Sequence, residues 1–132
     1  MRKKLCALLS CAALLVGVLA GCGGKSGAPG GKAPVKIGLL YSLSGVTSVS
    51  EKQLYNGTKL AIDEINAAGG IGGRRIETVF ADYASDPARA ADKARKLILD
   101  DKVVAIVGTC SSSARQAVKP VVETNRSLLI YP

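Results

Sequence analysis

The sequence contains no histidine, and only 4% of its residues are aromatic. The lack of histidine removes the usual general base of a serine hydrolase and a common ligand of zinc. The low aromatic content leaves no visible stacking platform of the kind that binds single-stranded nucleic acid. The sequence therefore predicts a protein that is not an enzyme, has no metal site and has no nucleic-acid partner.

The chain also lacks any concentrated run of one charge in the part that follows its first residues. The formal net charge is +8, from 18 Lys and Arg against 10 Asp and Glu. Three of the cations occupy residues 2–4, so 15 cations and 10 acidic residues remain in the rest of the chain. Because these cations are scattered and interleaved with acids, we interpret them as solvated helix faces and not as a binding patch.

The first 22 residues have the layout of a secretory signal peptide. The three cations at residues 2–4 precede an uncharged apolar run at residues 5–20, which is shorter than the roughly 20 residues that span a bilayer. The run leads into Leu-Ala-Gly-Cys at residues 19–22, which resembles the lipobox of bacterial lipoproteins. In a lipobox the chain is cut before the Cys, whose sulfur takes a diacylglycerol. We predict a lipoprotein signal peptide over residues 1–21 and lipidation of Cys22.

Cysteine is almost absent from the remainder of the chain. Cys6 and Cys11 lie in the segment that would be removed, Cys22 would be lipidated, and only Cys110 is left. A single thiol cannot form an intramolecular disulfide. Without a Cys-x-x-Cys pair or a histidine, it also does not form a zinc site.

The remaining sequence divides into a linker and a folded part. Residues 22–34 join the modified cysteine to a run of Gly, Pro, Ala and Lys, which is typical of a flexible tether. Residues 35–132 are long enough for one small domain. The chain ends on an apolar strand at residues 128–131, and a fold seldom stops on its most apolar segment. We expect residues 35–132 to be the first part of a longer domain.

Short apolar runs alternate with segments of helical periodicity from Val35 onward. The predicted strands cover residues 35–41, 76–81, 103–107 and 128–131. The predicted helices begin at a capping box at residues 50–53, at the N-cap Asp86, and at residue 114, and the last runs to 124 with a kink or early restart at Pro120. This alternation predicts an α/β fold with a Rossmann-like parallel sheet. In such sheets ligands bind beyond the carboxyl ends of the strands.

One glycine cluster does not fit a cofactor site. The glycines at residues 69–73 follow a helix and precede a strand, whereas a dinucleotide fingerprint follows a strand and opens a helix. We interpret the cluster as a helix stop followed by a tight turn. No cofactor is predicted.

The loop at residues 108–113 is the strongest candidate for ligand contact. It follows the third strand and carries Cys110, Ser111, Ser112 and Ser113 into the third helix. Hydroxyls and N–H groups at a helix start suit a carboxylate or a polar carbonyl. A plain serine helix cap is the alternative, and a hydrolase is disfavoured because Gly-x-Ser-x-Gly is absent. Cys110 is expected to be a small, partly buried residue that lines the cleft.

Two segments carry a resemblance to a known family. Residues 35–45, VKIGLLYSLSG, and residues 57–74, GTKLAIDEINAAGGIGGR, resemble type I periplasmic binding proteins of the branched-chain amino acid, urea and short-chain amide group. The resemblance implies two α/β lobes that close on a small solute and hand it to the permease and ATPase subunits of an ABC transporter. The chain would supply the first four strands of the amino-terminal lobe.

The resemblance also implies site residues. In branched-chain amino acid binders a serine after the third strand contacts the ligand carboxylate, which here is Ser112, or Ser111 if the loop aligns one place off. Tyr131 matches a pocket tyrosine of the urea and amide binders. Ser44 and Ser50, in the segment after the first strand, complete the predicted ligand-binding set. A disulfide known in the family would need a partner for Cys110, but Ser85 stands there.

Together these features predict an extracytoplasmic, lipid-anchored solute-binding protein of an ABC transporter. Its partners would be a small-molecule ligand, the permease and ATPase subunits, and the bacterial membrane through the lipid anchor. A ligand sensor on the same fold is the alternative, and a hydrolase is the weakest. The residues leave open whether the ligand is a branched-chain amino acid, urea or a short-chain amide.

Overall fold

A computed structural model describes residues 32–132 as a four-stranded sheet with three helices. The elements are β1 (Val35–Tyr41), α1 (Ser48–Ala67), β2 (Ile76–Asp82), α2 (Pro87–Leu99), β3 (Ala105–Gly108), α3 (Ser112–Thr124) and β4 (Leu128–Ile130). The strand order is β2-β1-β3-β4, and every neighbouring pair is parallel. The predicted α/β parallel sheet is confirmed.

The predicted signal peptide and the lipidation site at Cys22 lie outside the described residues, as does most of the predicted linker. Within residues 32–132, no helix combines the length and apolar character needed to cross a membrane.

Helices cover both faces of the sheet and divide its side chains into two cores. Leu40 packs with Leu97, Ile106 and Val118 on the face covered by α2 and α3. Leu39 and Tyr41 pack with Ile62 and Ile76 on the face covered by α1. Neighbouring residues of β1 thus enter opposite cores, as the two-residue period of a strand requires. This two-sided burial explains why β1 is almost continuously apolar.

The predicted cap of α2 at Asp86 is confirmed. Its carboxylate accepts hydrogen bonds from the N–H groups of Ala88 at 2.8 Å and Arg89 at 3.2 Å, and Pro87 occupies the first helical position. These two donors lack partners within the helix, so the cap satisfies them.

Asp86→Ala is expected to lower the free energy of unfolding by about 1 kcal/mol, because it removes a side-chain cap. Urea denaturation followed by circular dichroism measures this loss. Asp92→Ala is the matched control, since Asp92 is an exposed residue of the same helix that pairs only with Arg95 at the surface. A loss no larger for Asp86→Ala than for Asp92→Ala would contradict the role of the cap.

Helix boundaries differ from the prediction at two places. α1 begins at Ser48, with Thr47 at the N-cap and no side-chain cap, so the capping box at residues 50–53 is wrong. Ser50 already lies within the helix, and its hydroxyl donates to the carbonyl of Thr47 at 3.1 Å. α3 begins at Ser112 and continues through Pro120, so the early restart is also wrong.

The last strand is less buried than its apolar sequence predicts. Leu129 packs against the core of α2 and α3, whereas Leu128 and Ile130 are 56% and 50% exposed. These two side chains face the side of the sheet on which α1 packs against β1 and β2, so no helix among the described residues covers them there. The third strand also differs from its prediction, because β3 starts at Ala105 and not at residue 103.

Candidate functional site

The loops at the carboxyl edge of the sheet hold unusual backbone conformations. Ala84, Ser85 and Thr109 have positive φ angles of 51°, 59° and 62°. Gly108, next to Thr109, has a φ of 138°. Non-glycine residues adopt such angles only when the surrounding structure compensates for the cost, and they cluster at functional sites. Lys102 and Arg126, which precede β3 and β4, have positive φ angles of 59° and 50° as well, so strained residues lie at both edges of the sheet.

Ser85 joins the loop after β2 to the loop after β1. Its hydroxyl lies 2.7 Å from the Ser42 hydroxyl and 2.8 Å from the Thr47 hydroxyl, and it accepts a hydrogen bond from the Thr47 N–H at 3.0 Å. These hydrogen bonds link the loop after β2 to the loop after β1. Cys110, in the loop after β3, is half-buried and free.

Asp82, at the end of β2, fixes the position of Ser44. Its carboxylate accepts from the Ser44 hydroxyl at 2.8 Å, and from the N–H groups of Leu43 at 3.2 Å and Ala84 at 2.8 Å. Burial alone would raise the pKa of Asp82, but these donors hold that pKa below its ordinary value. Asp82 is therefore an anion that organises the loop, and the Ser44 hydroxyl donates to it.

Glu51 is a fully buried acidic residue in the first turn of α1. Its carboxylate accepts from the Ser42 N–H at 2.8 Å, from the Thr47 hydroxyl at 2.9 Å, and from the phenol of Tyr83. A buried carboxylate is costly unless donors surround it. These three donors supply that compensation, and they come from the loops after β1 and β2.

Tyr83, directly after β2, donates its phenol to Glu51. Burial raises the pKa of Tyr83 well above its ordinary value, and the hydrogen bond to Glu51 raises it further, while the hydroxyls of Ser111 and Thr47 act to lower it. The net shift is upward, so the phenol keeps its proton and remains a donor to Glu51 at physiological pH.

Ser111 and Ser112 occupy different positions at the start of α3. Ser111 is the N-cap, and its hydroxyl accepts from the Ala114 N–H at 3.3 Å. Ser112 is the first residue of the helix and is exposed, and its hydroxyl accepts from the Arg115 guanidinium at 3.3 Å. Since the first N–H groups of a helix have no partner within it, Ser112 combines an exposed hydroxyl with an exposed helix terminus.

Tyr131 lies beside the same helix terminus. The Arg115 guanidinium stacks over its ring at 4.5 Å from the centroid, a cation–π geometry. The two side chains also line a groove of about 430 Å³ between α3 and β4, together with Val122 and Leu129. Gln116, Lys119 and Glu123 complete the lining, so the groove combines an aromatic ring and aliphatic side chains with charged ones of both signs.

The predicted site residues thus fall into two groups at one edge of the sheet. Ser44 and Ser50 lie on the side of β1 and α1, while Cys110, Ser111, Ser112 and Tyr131 lie on the side of β3, α3 and β4. Ser50 bonds its own helix and has no hydrogen bond to the other predicted residues within the described chain. No three acidic, cysteine or histidine side chains of residues 32–132 are grouped as metal ligands.

The sequence analysis missed the residues that join the loops after β1 and β2. Thr47 forms hydrogen bonds with Ser85, 38 positions further along the chain. Glu51 accepts one from Tyr83, 32 positions further along. Local spacing carries no signal for such pairs. The available hint was the resemblance, which marked residue 85 as a place where the loops after β2 and β3 meet.

Comparison with known proteins places residues 35–132 in the periplasmic binding protein domain model. A curated relative, the Leu/Ile/Val-binding protein homolog 7 of Brucella suis, is 38% identical over 123 residues, which cover 93% of this chain and 28% of the relative. The matches among curated relatives cover 22% to 28% of their length, so the chain spans about a quarter of the proteins that it matches.

Solved structures share the fold. The branched-chain amino acid transporter substrate-binding protein LivJ of Streptococcus pneumoniae, in complex with isoleucine, is 38% identical with a TM-score of 0.74, over 75% of this chain and 28% of that one. A solute-binding protein of an ABC transporter from Rhodopseudomonas palustris, in complex with 3,4-dihydroxybenzoic acid, is 28% identical with a TM-score of 0.68, over 74% and 26%.

Proposed function

Because this chain belongs to the periplasmic binding protein domain family, we propose that it forms part of an extracytoplasmic, lipid-anchored protein that captures a small solute for an ABC importer. The observation that carries the proposal is the grouping of Ser111, Ser112 and Tyr131 at the carboxyl edge of the parallel sheet. Open α/β sheets bind their ligands at this edge. The anchor at Cys22 rests on the sequence, and the permease and ATPase partners rest on the family.

The proposed ligand is a carboxylate with an apolar body, of the branched-chain amino acid type. An exposed helix terminus attracts an anion through its N–H groups and its dipole, and Ser112 adds a hydroxyl beside it. Two neighbours of the fold were solved with isoleucine and 3,4-dihydroxybenzoic acid, and both ligands carry a carboxylate. Aliphatic side chains near Tyr131 suit the apolar part.

Ser112 and Ser111 take different roles in this proposal. Ser112 is exposed and would donate its hydroxyl to the ligand, whereas Ser111 already caps α3 through the Ala114 N–H. Tyr131 would wall the pocket, and Cys110 would contribute a small half-buried surface. Ser44 and Ser50 would contribute from the side of β1, with the Ser44 hydroxyl oriented by Asp82.

Ser112→Ala is expected to weaken binding of leucine or isoleucine by roughly ten- to a hundredfold. A hydrogen bond to a charged group contributes roughly 1.5–3 kcal/mol, and tenfold in affinity corresponds to about 1.4 kcal/mol. Isothermal titration calorimetry with leucine, isoleucine, urea and acetamide measures the change. It should be made on the whole protein encoded by the reading frame to which this sequence belongs.

Ser127→Ala is the matched control for this experiment. It removes the same hydroxyl from a half-buried serine that precedes β4, at the opposite edge of the sheet. Its affinity should equal that of the unsubstituted protein. Unchanged affinity in Ser112→Ala would remove Ser112 from the site and leave it as an ordinary helix-start residue. Binding of urea or acetamide without binding of an amino acid would replace the proposed ligand class.

A urea or amide ligand is the second candidate. The loop after β3 has hydroxyls and N–H groups but no lysine, so it can bind a neutral carbonyl as well as a carboxylate. The resemblance of the segment that ends in Tyr131 favours this alternative. A sensor on the same fold would differ in its partners, and genes for a permease and an ATPase beside the reading frame would favour transport.

A further inference from the structure

We infer that Glu51 is a positioning residue whose buried carboxylate, through Tyr83, holds the loops after β1 and β2 in one fixed arrangement. Its consequence for ligand binding rests on the proposed function. The fixed arrangement itself is a property of the protein without ligand, and it can be tested separately.

The first step is the pattern of donors around Glu51. The Ser42 N–H and the Thr47 hydroxyl both belong to the loop after β1, and they approach the two oxygens of the carboxylate at 2.8 and 2.9 Å. One carboxylate therefore holds both ends of a loop that also contains Ser44. Since Glu51 is in the first turn of α1, it fixes this loop relative to the helix as well.

The second step is the extension of the network to the loop after β2. Tyr83 follows β2 and donates its phenol to the same Glu51 oxygen that accepts from Thr47. Ser85 adds a second link between the loops after β2 and β1. The loop that carries Ser44 is thus joined to the loop after β2 at two places.

The third step is the cost of the arrangement. Glu51, Tyr83 and Ser42 are all fully buried, and their hydrogen bonds are strong because water does not compete for them. An acid that only capped a helix would lie at the surface, where water solvates the carboxylate and no burial cost arises. Burial of the acid between the two loops indicates that the link between them is retained at this cost.

Tyr83→Phe removes the phenol oxygen that joins the loop after β2 to Glu51 and leaves the ring in place. Tyr41→Phe is the matched control, because Tyr41 is equally buried and its phenol pairs with the Thr58 hydroxyl at 2.8 Å, on the face of α1. Glu51→Gln is the second variant, which keeps the shape of the side chain and removes its charge.

The measurement is amide hydrogen exchange by NMR on the full chain without ligand. Two amides report on the network, because the Ser42 N–H bonds Glu51 and the Thr47 N–H bonds Ser85. The Ala88 N–H, which bonds Asp86 in the cap of α2, is the reference. Tyr83→Phe is expected to speed exchange of both reporters by about tenfold or more, relative to the reference.

The same acceleration of Ser42 and Thr47 is expected in Glu51→Gln, and neither reporter should change relative to Ala88 in Tyr41→Phe. The inference is overturned if Tyr83→Phe leaves both reporters unchanged relative to Ala88, or if all amides accelerate equally in Tyr83→Phe and Tyr41→Phe. Neither result depends on which ligand the protein binds. A failed calorimetric titration with normal loop coupling would instead contradict the proposed function alone.

Discussion

Gly108→Ala is expected to prevent β3 from pairing correctly with β1. A Cβ atom at residue 108 would lie 1.9 Å from the carbonyl oxygen of Leu40 and 2.7 Å from its carbonyl carbon. This oxygen accepts the Thr109 N–H at 2.9 Å, so the clash falls on a bond between the strands. The φ of 138° adds strain that only glycine avoids. The combined cost should be about 3 kcal/mol or more, at the upper end of single-residue effects.

Gly57→Ala is the control with the opposite expected sign. Gly57 lies inside α1, and a Cβ there would meet no atom within 4 Å. Alanine in a helix is favoured over glycine by roughly 0.5–1 kcal/mol, so this variant should be stabilised. Urea denaturation followed by circular dichroism compares the two. An unchanged midpoint in Gly108→Ala would show that β1 and β3 tolerate a wider separation than their pairing at Leu40 indicates.

The effect of Gly108 matters for the site because the strained loop starts there. Thr109 follows with a positive φ, and its buried hydroxyl donates to the carbonyl of Gly108 at 2.6 Å. The close contact between β1 and β3 thus sets the direction in which the loop leaves the sheet. Ser111 and Ser112 come next, so a variant that shifts β3 would displace the proposed ligand groups as well.

The parts of the fold that follow from local rules were predictable. Asp86 and Pro87 mark the start of α2 because a short polar side chain and a proline each suit one position of a helix start. The glycines at residues 69–73 end α1 because Gly69 and Gly70 take positive φ angles that side chains disfavour. The strands were found because burial on both faces leaves an apolar run.

The parts that depend on distant partners were not predictable. Glu51 is the second residue of the predicted capping box, where an acid usually faces solvent and the helix dipole. Its burial is decided by Tyr83, 32 positions away, and no spacing rule connects the two. The same burial explains why the predicted start of α1 was wrong. The loop before the helix is organised by hydrogen bonds with Glu51 and Ser85 and not by a capping box.

Membrane attachment is the part of the proposed function that rests on the sequence alone. The run Leu-Ala-Gly-Cys at residues 19–22 follows an apolar segment of signal-peptide length. The hypothesis is that Cys22 becomes the acylated amino terminus of the processed protein. Buried acyl chains contribute roughly 0.8 kcal/mol per CH₂, and two or more chains hold a protein stably on a membrane. The Gly- and Pro-containing linker would then give the folded part room to move above the surface.

Cys22→Ala is accordingly expected to abolish incorporation of radiolabelled palmitate and the mature, shortened form of the protein. The protein should appear either in the soluble fraction or as a longer, unprocessed species, because both acylation and cleavage depend on the sulfur of Cys22. Cys11→Ala is the matched control, since Cys11 lies in the segment that would be removed, and it should leave labelling and processing unchanged. Membrane retention of a shortened, unlabelled Cys22→Ala protein would contradict lipidation, because an acyl chain at that sulfur could not then be the anchor.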